Sequence, residues 1–163
     1  MYICIMKLKE PFIILLVGPT LSGKSTWIRN NYPNVDVISR DEIVMEVAGT
    51  RDYNKAFDTV DYKVVDKVLI ERLTEANTNK TSTIVDMTNM TLKRRRQTLQ
   101  YFDDGFYKVA VVFPLLSDEE YQRRNIDRNA KENKWIPPSV IKSMIDSYQE
   151  PTTSEGFNNI IFL

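Results

Sequence analysis

The chain has 163 residues, of which 42% are hydrophobic and 27% are charged, a composition typical of one globular domain. Its 22 lysines and arginines balance 22 aspartates and glutamates, which excludes a protein that coats nucleic acid through bulk charge but allows a local basic groove. It contains no histidine, so imidazole bases, Ser/His/Asp triads and most zinc sites are excluded. Its single cysteine, Cys4, excludes an internal disulfide and fits a reducing compartment.

The longest apolar run, Phe12–Val17, is far shorter than the ~20 residues that span a bilayer. We therefore predict a cytoplasmic protein without a membrane partner. Residues 1–163 are predicted to form one domain. Residues 1–10 are ambiguous, and a frayed N-terminus is one interpretation of them.

Strand-like apolar runs alternate with helical patterns, which indicates an α/β domain with a mainly parallel sheet. The predicted strands are Phe12–Val17, Val35–Ser39, Thr83–Asp86, Tyr107–Phe113 and Asn159–Phe162. The predicted helices begin near Lys24 and span Ala56–Ala76, Thr91–Phe102, Asp118–Lys131 and Ser139–Glu150. In the Ala56–Ala76 helix the expected apolar face consists of Val60, Val64, Val68 and Leu69.

Residues Gly18 to Ser25 match the phosphate-binding pattern G-x-x-x-x-G-K-[ST], between a predicted strand and a predicted helix. The glycines let backbone amides converge on phosphate oxygens, and the helix directs its positive end at the same anion. Lys24 would reach the β- and γ-phosphates, and the Ser25 hydroxyl would bind Mg²⁺. The residues expected to bind the nucleotide are Gly18, Pro19, Thr20, Leu21, Ser22, Gly23, Lys24, Ser25 and Thr26. A glycine turn that binds nothing is the alternative.

Regulatory GTPases are a poor fit to the rest of the chain. The segment Asn79-Lys80-Thr81-Ser82 lacks the aspartate that ends a guanine-reading motif, and Phe102 stands where an Asp-x-x-Gly switch before Gly105 needs its aspartate. A small phosphotransferase fits better, and such an enzyme needs a group that orients the acceptor, arginines that neutralise charge, and a metal.

Asp41 is the candidate for orienting the acceptor. It follows the second predicted strand within Ser39-Arg40-Asp41-Glu42, so it should lie at the carboxyl edge of the sheet beside the phosphate-binding loop. There an aspartate can orient an acceptor hydroxyl and take its proton, and Arg40 would lie at the same substrate. Alternatively, Ser39 and Glu42 form a capping box and Asp41 only favours the helix N-terminus.

Arg124 and Arg128 lie four residues apart on one predicted helix face, where like charges repel unless an anion lies between them. A solvated basic face is the alternative, in which Arg123 pairs with Asp127. The segment that follows is polar and rich in lysine, as expected of a mobile lid over residues 124–136.

Asp86 ends the third predicted strand, where a metal-associated carboxylate belongs; an Asx turn is the alternative. Thr88 and Asn89 follow as candidate hydrogen-bond partners for the substrate. The basic run Lys93–Arg96 is either a solvent-exposed helix face or a contact to phosphates outside the active site.

Several of these segments occur together in a known family. In order along the chain they read GPTLSGKSTW at 18–27, SRDE at 39–42, DMTNMTLKRRR at 86–96, RRNIDRN at 123–129 and IPPSVIKSM at 136–144. In order and spacing, from about residue 12 to 150, the sequence resembles the 5′-kinase domain of bacteriophage polynucleotide kinase, a P-loop kinase.

The resemblance implies a three-layer α/β P-loop kinase fold, with four or five parallel strands, a helical lid and a tunnel for the acceptor strand. It implies ATP and Mg²⁺ as cofactors, held by Lys24 and Ser25, and 5′ ends of RNA or DNA as partners. It also makes Asp41 the general base, and Arg124 and Arg128 the lid arginines that clamp the transferring phosphate.

Two positions depart from the family. Thr20-Leu21 replaces the Pro-Gly that its phosphate-binding loop usually contains. Val44 replaces an arginine that reads the acceptor's 3′-phosphate, so the resemblance does not bring a preference for 3′-phosphorylated ends to this chain.

The sequence thus predicts an ATP-dependent polynucleotide 5′-hydroxyl kinase of nucleic-acid end repair, located in the host cytoplasm if a phage encodes it. A ligase or phosphatase would act in the same pathway. Two alternatives stay open: a P-loop kinase of a small acceptor, such as a nucleoside, sugar acid or nucleotide sugar, and a non-catalytic module that binds nucleic acid in response to nucleotide.

Overall fold

The computed structural model of the protein describes residues 8–163. All five predicted strands form, and they are β1 (Phe12–Val17), β2 (Asp36–Ser39), β3 (Thr83–Asp86), β4 (Tyr107–Val112) and β5 (Asn159–Phe162). They make one parallel sheet in the order β2-β3-β1-β4-β5. Strand β2 begins one residue later than predicted, and β4 ends one residue earlier. The ambiguous segment 1–10 falls mostly outside the described residues.

The helices in this part of the chain are α1 (Lys24–Asn31), α2 (Arg40–Ala48), α3 (Tyr53–Thr59), α4 (Tyr62–Thr78), α5 (Leu92–Leu99), α6 (Asp118–Glu132) and α7 (Pro138–Asp146). A 3₁₀ turn follows at Thr153–Glu155. The single helix predicted over 56–76 is wrong, because the chain is extended at Val60 and Asp61 caps a new helix by accepting from the Lys63 amide at 2.9 Å.

This break changes which face of α4 is buried. Its core residues are Val65, Leu69, Leu73 and Ala76. Of the face predicted for this region, only Leu69 is among them, and Val64 is 41% exposed. Because α4 starts anew at Asp61, its buried face is rotated relative to the face that an uninterrupted helix would have buried.

The sheet is covered on both faces. Alternate residues of β1 belong to two separate hydrophobic cores, with Ile13, Leu15 and Val17 in one and Phe12, Ile14 and Leu16 in the other. The first core also contains side chains of α2, α4 and α7, whereas Ile28 of α1 packs into the second. This is the predicted three-layer α/β fold with a five-stranded parallel sheet, in which the inner strands β1, β3 and β4 are mostly buried and the edge strands β2 and β5 are only partly buried.

Because the strands are parallel, their carboxyl ends meet at one edge of the sheet. Val17, Ser39 and Asp86 end three adjacent strands, and Ser39 is paired with Asp86 in the register. The predicted lid at 124–136 consists of the second half of α6 and the loop that leads to α7. None of the helices in residues 8–163 combines the length and apolar character that crossing a bilayer requires.

Candidate active site

The phosphate-binding loop connects β1 to α1. Gly18 is needed there because a Cβ at this position would lie 2.9 Å from the Cβ of Phe113. Gly23 has a φ of 95°, which glycine adopts without strain, whereas Leu21, at 66°, is a non-glycine residue in the left-handed region, and such strained residues are enriched at functional sites. No side chain caps α1 at Gly23, so the first-turn amides are available to an anion.

Lys24 lies inside this loop. Its Nζ donates to the carbonyl oxygens of Pro19 at 2.6 Å and Gly18 at 3.1 Å. Burial lowers the pKa of Lys24 to about 8, although the nearby carboxylates of Asp86 and Asp41 act in the opposite direction. Lys24 lines the same cavity as both carboxylates that the sequence assigned to the site.

Asp41 lies in the first turn of α2, where the Ser39 hydroxyl accepts from the Glu42 amide at 3.4 Å. The predicted helix start therefore forms, and it directs Asp41 into the site. The hydroxyl of Tyr53 on α3 donates to Asp41 Oδ2 at 3.2 Å. Tyr53 is 7% exposed, and burial raises the pKa of its hydroxyl, so the hydroxyl keeps its proton for this bond.

Asp86, at the end of β3, is half-buried. Burial raises its pKa, and Lys24 opposes that shift. Thr88 lines the same cavity, and its carbonyl accepts from the Gly18 amide at 2.9 Å. The loop after β3 is thus joined directly to the phosphate-binding loop.

Asn89, which was predicted to contact the substrate, is not brought to the cavity. It is fully buried with a φ of 47°, and its Nδ2 donates to the Leu16 carbonyl at 2.8 Å. Asparagine tolerates the left-handed conformation, so the side chain fits a structural role. It ties the segment after β3 to β1 and does not face a substrate.

Both predicted lid arginines touch the phosphate-binding loop. The guanidinium of Arg124 donates to the Leu21 carbonyl at 3.0 Å, and that of Arg128 donates to the Thr20 hydroxyl at 3.3 Å. Their like charges are held apart by separate acidic partners, Glu120 for Arg124 at 2.7 Å and Glu132 for Arg128 at 3.6 Å.

The pairing predicted for a neighbouring arginine is wrong. Arg123 pairs with Glu120 at 2.7 Å, and Asp127 instead pairs with Lys131 at 2.9 Å. The i−3 carboxylate of Glu120 competes for Arg123, while Lys131 lies four residues from Asp127 on the same helix.

The loop after α6 is clamped by two asparagines. Asn54 on α3 exchanges two hydrogen bonds with the Trp135 backbone, at 3.0 and 3.3 Å. Asn125 on α6, which is 1% exposed, does the same with Ile136 at 2.7 and 3.2 Å. The lid loop is therefore held by its own helix on one side and by α3 on the other.

These elements enclose a cavity of about 410 Å³. Its charged lining residues are Lys24, Arg40, Asp41, Asp58, Asp86 and Arg94, and its apolar wall includes Phe57, Met87, Trp135, Val140 and Met144. Arg40, predicted at the substrate, pairs with Asp66 at 3.3 Å, and its Nε has no hydrogen-bond partner within the described residues. The cavity thus joins the phosphate-binding loop to an acceptor chamber with polar and apolar sides.

The basic run Lys93–Arg96 does not behave as one surface. Arg95 is fully buried and makes two bonds to the Glu155 carboxylate at 2.7 and 2.8 Å. Arg94 lines the cavity, whereas Lys93 and Arg96 are exposed on the outside of α5. The run therefore supplies a structural anchor, a cavity cation and two surface cations.

The residues present fit a nucleotide-bound Mg²⁺. The part of the chain that the structure describes has no group of three acidic or cysteine side chains able to hold a metal. Mg²⁺ in nucleotide sites is bound by one or two protein oxygens together with substrate phosphates and water. Ser25, exposed at the start of α1, and Asp86, which faces Lys24 in the cavity, supply that type of ligand.

Tyr53 and Asn54 extend the site beyond the residues assigned from sequence, whereas Arg94 belongs to the predicted basic run and Trp135 to the predicted lid. Asp52, a helix-capping residue before Tyr53, was the only local signal near Tyr53 and Asn54, and its side chain does accept from the Lys55 amide at 3.1 Å. Capping predicts a helix start but not what the helix contacts.

Similar solved structures include a chain of the Pnkp1/Rnl/Hen1 RNA repair complex, with 23% identity and a TM-score of 0.70 over 95% of this chain; the match spans only about half, 49%, of that chain. A gluconokinase from Sinorhizobium meliloti matches with 13% identity and a TM-score of 0.56, over 96% of this chain and 83% of its own. Shikimate kinase from Acinetobacter baumannii, with 17% identity and a TM-score of 0.56, matches over 94% and 83%.

At these identities the structures show a shared fold and no more. No curated protein matches the sequence significantly. The family model described as an AAA domain matches residues 13–151, which includes the phosphate-binding loop, Asp41, Asp86 and the lid. With that match and the five-stranded sheet described above, the chain belongs to this AAA domain family and has the P-loop kinase fold.

Proposed function

We propose that the protein is an ATP-dependent polynucleotide 5′-hydroxyl kinase, which transfers the γ-phosphate of ATP to the 5′ end of RNA or DNA. The observation that supports this most is Asp41, which is held by the Tyr53 hydroxyl at 3.2 Å in the same cavity as Lys24 and Asp86. A carboxylate beside a phosphate-binding lysine is what a hydroxyl acceptor needs in order to be oriented and deprotonated.

In the proposed reaction the 5′-oxygen of the acceptor attacks the γ-phosphorus while the bond from that phosphorus to the ADP oxygen breaks. Asp41 accepts the proton of the 5′-hydroxyl. Lys24, Arg124 and Arg128, which all contact the phosphate-binding loop, stabilise the negative charge on the transferring phosphoryl group. Mg²⁺, held by Ser25 and Asp86 when bound, would neutralise phosphate charge.

Three features support a polynucleotide as the acceptor. The motif order resembles that of polynucleotide kinase 5′-kinase domains, and the chain shares its fold with a component of an RNA repair complex. The cavity also contains Arg94, a cation on the α5 side that the nucleotide does not require. The 5′-phosphate product is the substrate class that end-joining ligases consume, which supports a ligase in the same pathway.

The test is a phosphoryl-transfer assay with labelled ATP and a panel of acceptors, namely a 5′-hydroxyl oligonucleotide, a nucleoside, gluconate and shikimate. We expect the oligonucleotide to be preferred, and Asp41→Asn to lower kcat by about 10²–10⁴-fold, as expected for loss of a general base. Asp36→Asn, an exposed aspartate on β2, is the matched control and should leave kcat unchanged.

Preference for a small acceptor would identify a small-molecule kinase and contradict the polynucleotide assignment. Tight oligonucleotide binding without any transfer would identify a nucleotide-dependent binding module. Equal rates in Asp41→Asn and the wild type would contradict the role of Asp41 whichever acceptor is used.

A further inference from the structure

The outside of α5 contains a second, shallow groove. It has a volume of about 450 Å³ and is lined by Leu92, Lys93, Arg96, Gln97, Gln100 and Gln149, which we call the α5 groove. Two cations and three amides line it, and none of its lining residues is acidic. Arginine, lysine and glutamine are side chains that bind nucleic-acid phosphates.

The cations of α5 differ from those of the neighbouring surface helix. On α6, the side chains of Arg123, Arg124, Arg128 and Lys131 all have a carboxylate partner. On α5, Lys93, Arg94 and Arg96 form no ion pair with any described residue, and the nearby Glu155 carboxylate is bound by the buried Arg95.

The position of Lys93 and Arg94 costs stability unless an anion binds. Both lie in the first turn of α5, which contains no acidic residue, and cations near the positive end of a helix are unfavourable, whereas Arg96 lies in the last turn, where a cation is favourable. Movement of α5 does not relieve this unfavourable position of its first-turn cations, because Arg95 fixes the helix through bonds to Glu155 and to the Asn89 carbonyl. Lys93 and Arg96 are therefore presented from a rigid support.

The α5 groove and the active-site cavity share no lining residue, but both are lined by residues of α5. Both lie along the seam between α5 and the α7 segment, where Gln149 joins the start of α5 through bonds to Met90 and Leu92 at 2.8 and 2.9 Å. Met144 and Arg94 line the cavity on this seam, and Gln149 and Lys93 line the groove. Cations therefore follow one another from inside the cavity to the outer surface.

We propose that Arg94, Lys93 and Arg96 form a track for the phosphates of the acceptor strand behind its 5′-terminal nucleotide. The inference rests on the proposed function and specifies its substrate as a single-stranded polynucleotide several nucleotides long. The strand enters along the α5 groove, and its 5′ end reaches Asp41 past Arg94. Gln97, Gln100 and Gln149 supply neutral donors beside the two surface cations.

The test measures binding of 3′-fluorescein oligonucleotides of two and eight nucleotides by anisotropy, without ATP, over a range of salt concentrations. For a single strand, each phosphate contact contributes about −0.7 to the slope of log K against log salt. We expect Arg96→Gln to reduce the slope for the eight-nucleotide strand by about 0.7, and Lys93→Gln/Arg96→Gln by about 1.4. Each lost contact should weaken binding about two- to fivefold. The dinucleotide should bind all these proteins equally.

Lys67→Gln is the control, since Lys67 is an exposed lysine on α4, and it should keep the wild-type slope. Melting temperatures of the α5 variants should not fall below that of the wild type, because the changed side chains are exposed and removing the Lys93 charge relieves an unfavourable position at the helix start. An unchanged slope in the double variant would overturn the proposal, and so would an equal loss in Lys67→Gln. A transfer assay on the same oligonucleotide separates the kinase function from the phosphate track. If the strand binds through α5 but no phosphate is transferred, only the kinase function is contradicted. If phosphate is transferred but the salt slope of the double variant is unchanged, only the track is contradicted.

Discussion

At the scale of single residues, Tyr53 connects the acceptor side of the site to the lid. Its hydroxyl donates to Asp41 at 3.2 Å, while the charged groups of Arg128 and Lys134 lie 5.9 and 5.1 Å from the centre of its ring. Arg128 also contacts Thr20 in the phosphate-binding loop. One buried aromatic side chain therefore contacts both the proposed base and the cations that would act on phosphate.

Replacing Tyr53 by phenylalanine keeps the ring and removes the bond to Asp41. Because a hydrogen bond to a charged group is worth about 1.5–3 kcal/mol, we expect Tyr53→Phe to lower kcat by about ten- to hundredfold with an unchanged KM for ATP. In an Asp41→Asn background the same change should have little further effect, since it acts through Asp41. Steady-state kinetics of the wild type, the two single variants and the double variant measure this coupling. Equal losses in both backgrounds would contradict it, and Tyr101→Phe, outside the cavity, is the control.

At the scale of elements, the buried pair of Arg95 and Glu155 fixes α5 to the 3₁₀ turn before β5. Their side chains are 0% and 2% exposed, so removing one charge leaves the other buried and unpaired. We expect Glu155→Gln to lower the free energy of unfolding by about 3–5 kcal/mol. Asp146→Asn, which breaks an exposed pair with Lys142, should cost less than about 1 kcal/mol. Urea denaturation compares the two, and similar losses would show that Arg95 is not anchored by this pair.

The elements also show what local sequence determines. The strands were predicted to within one residue because each is a short apolar run, which is mostly buried in β1, β3 and β4 and only partly buried in the edge strands β2 and β5. The break at Val60 was missed, because a capping aspartate such as Asp61 is as compatible with the surface of a continuous helix as with a new start. The basic run was ambiguous for a similar reason, since Arg95 finds its carboxylate 60 residues away.

At the scale of the whole molecule, the sheet explains which site residues could be predicted. Asp86 ends β3, Asp41 lies two residues after β2, and Lys24 follows the loop after β1, and the rule that parallel strands end at one edge brings them together. Tyr53 and Trp135 enter the site through contacts between α3 and the lid, which no local pattern specifies. The zero net charge of the chain likewise conceals the basic side of α5, which only the fold separates from the paired charges of α6.

The stability of the whole molecule should report the charge of Lys24. Burial lowers the pKa of this lysine to about 8, so below pH 8 its ammonium attracts phosphate, and as the pH rises through 8 the proton is lost. ATP binding above pH 8 then requires proton uptake, and the affinity should fall by up to about tenfold per pH unit. The rise in Tm that saturating ATP produces through linkage should therefore shrink between pH 7 and pH 9.5.

Without ATP, the pH dependence has the opposite sign, and the folded protein gains stability as the pH rises. The unfolded chain holds the Lys24 proton up to its ordinary pKa of 10.5, so the contribution of this group to the free energy of unfolding increases between pH 8 and 10.5 as the buried charge disappears. Lys24→Met should show a small ATP-induced shift that does not change with pH. Thermal melts of both proteins at pH 7 and 9.5, with and without ATP, measure the ATP-induced rise in Tm and the change of stability with pH. An ATP-induced shift in the wild type that stays constant to pH 9.5 would mean that Lys24 retains its proton in the folded protein, and that burial does not dominate its environment.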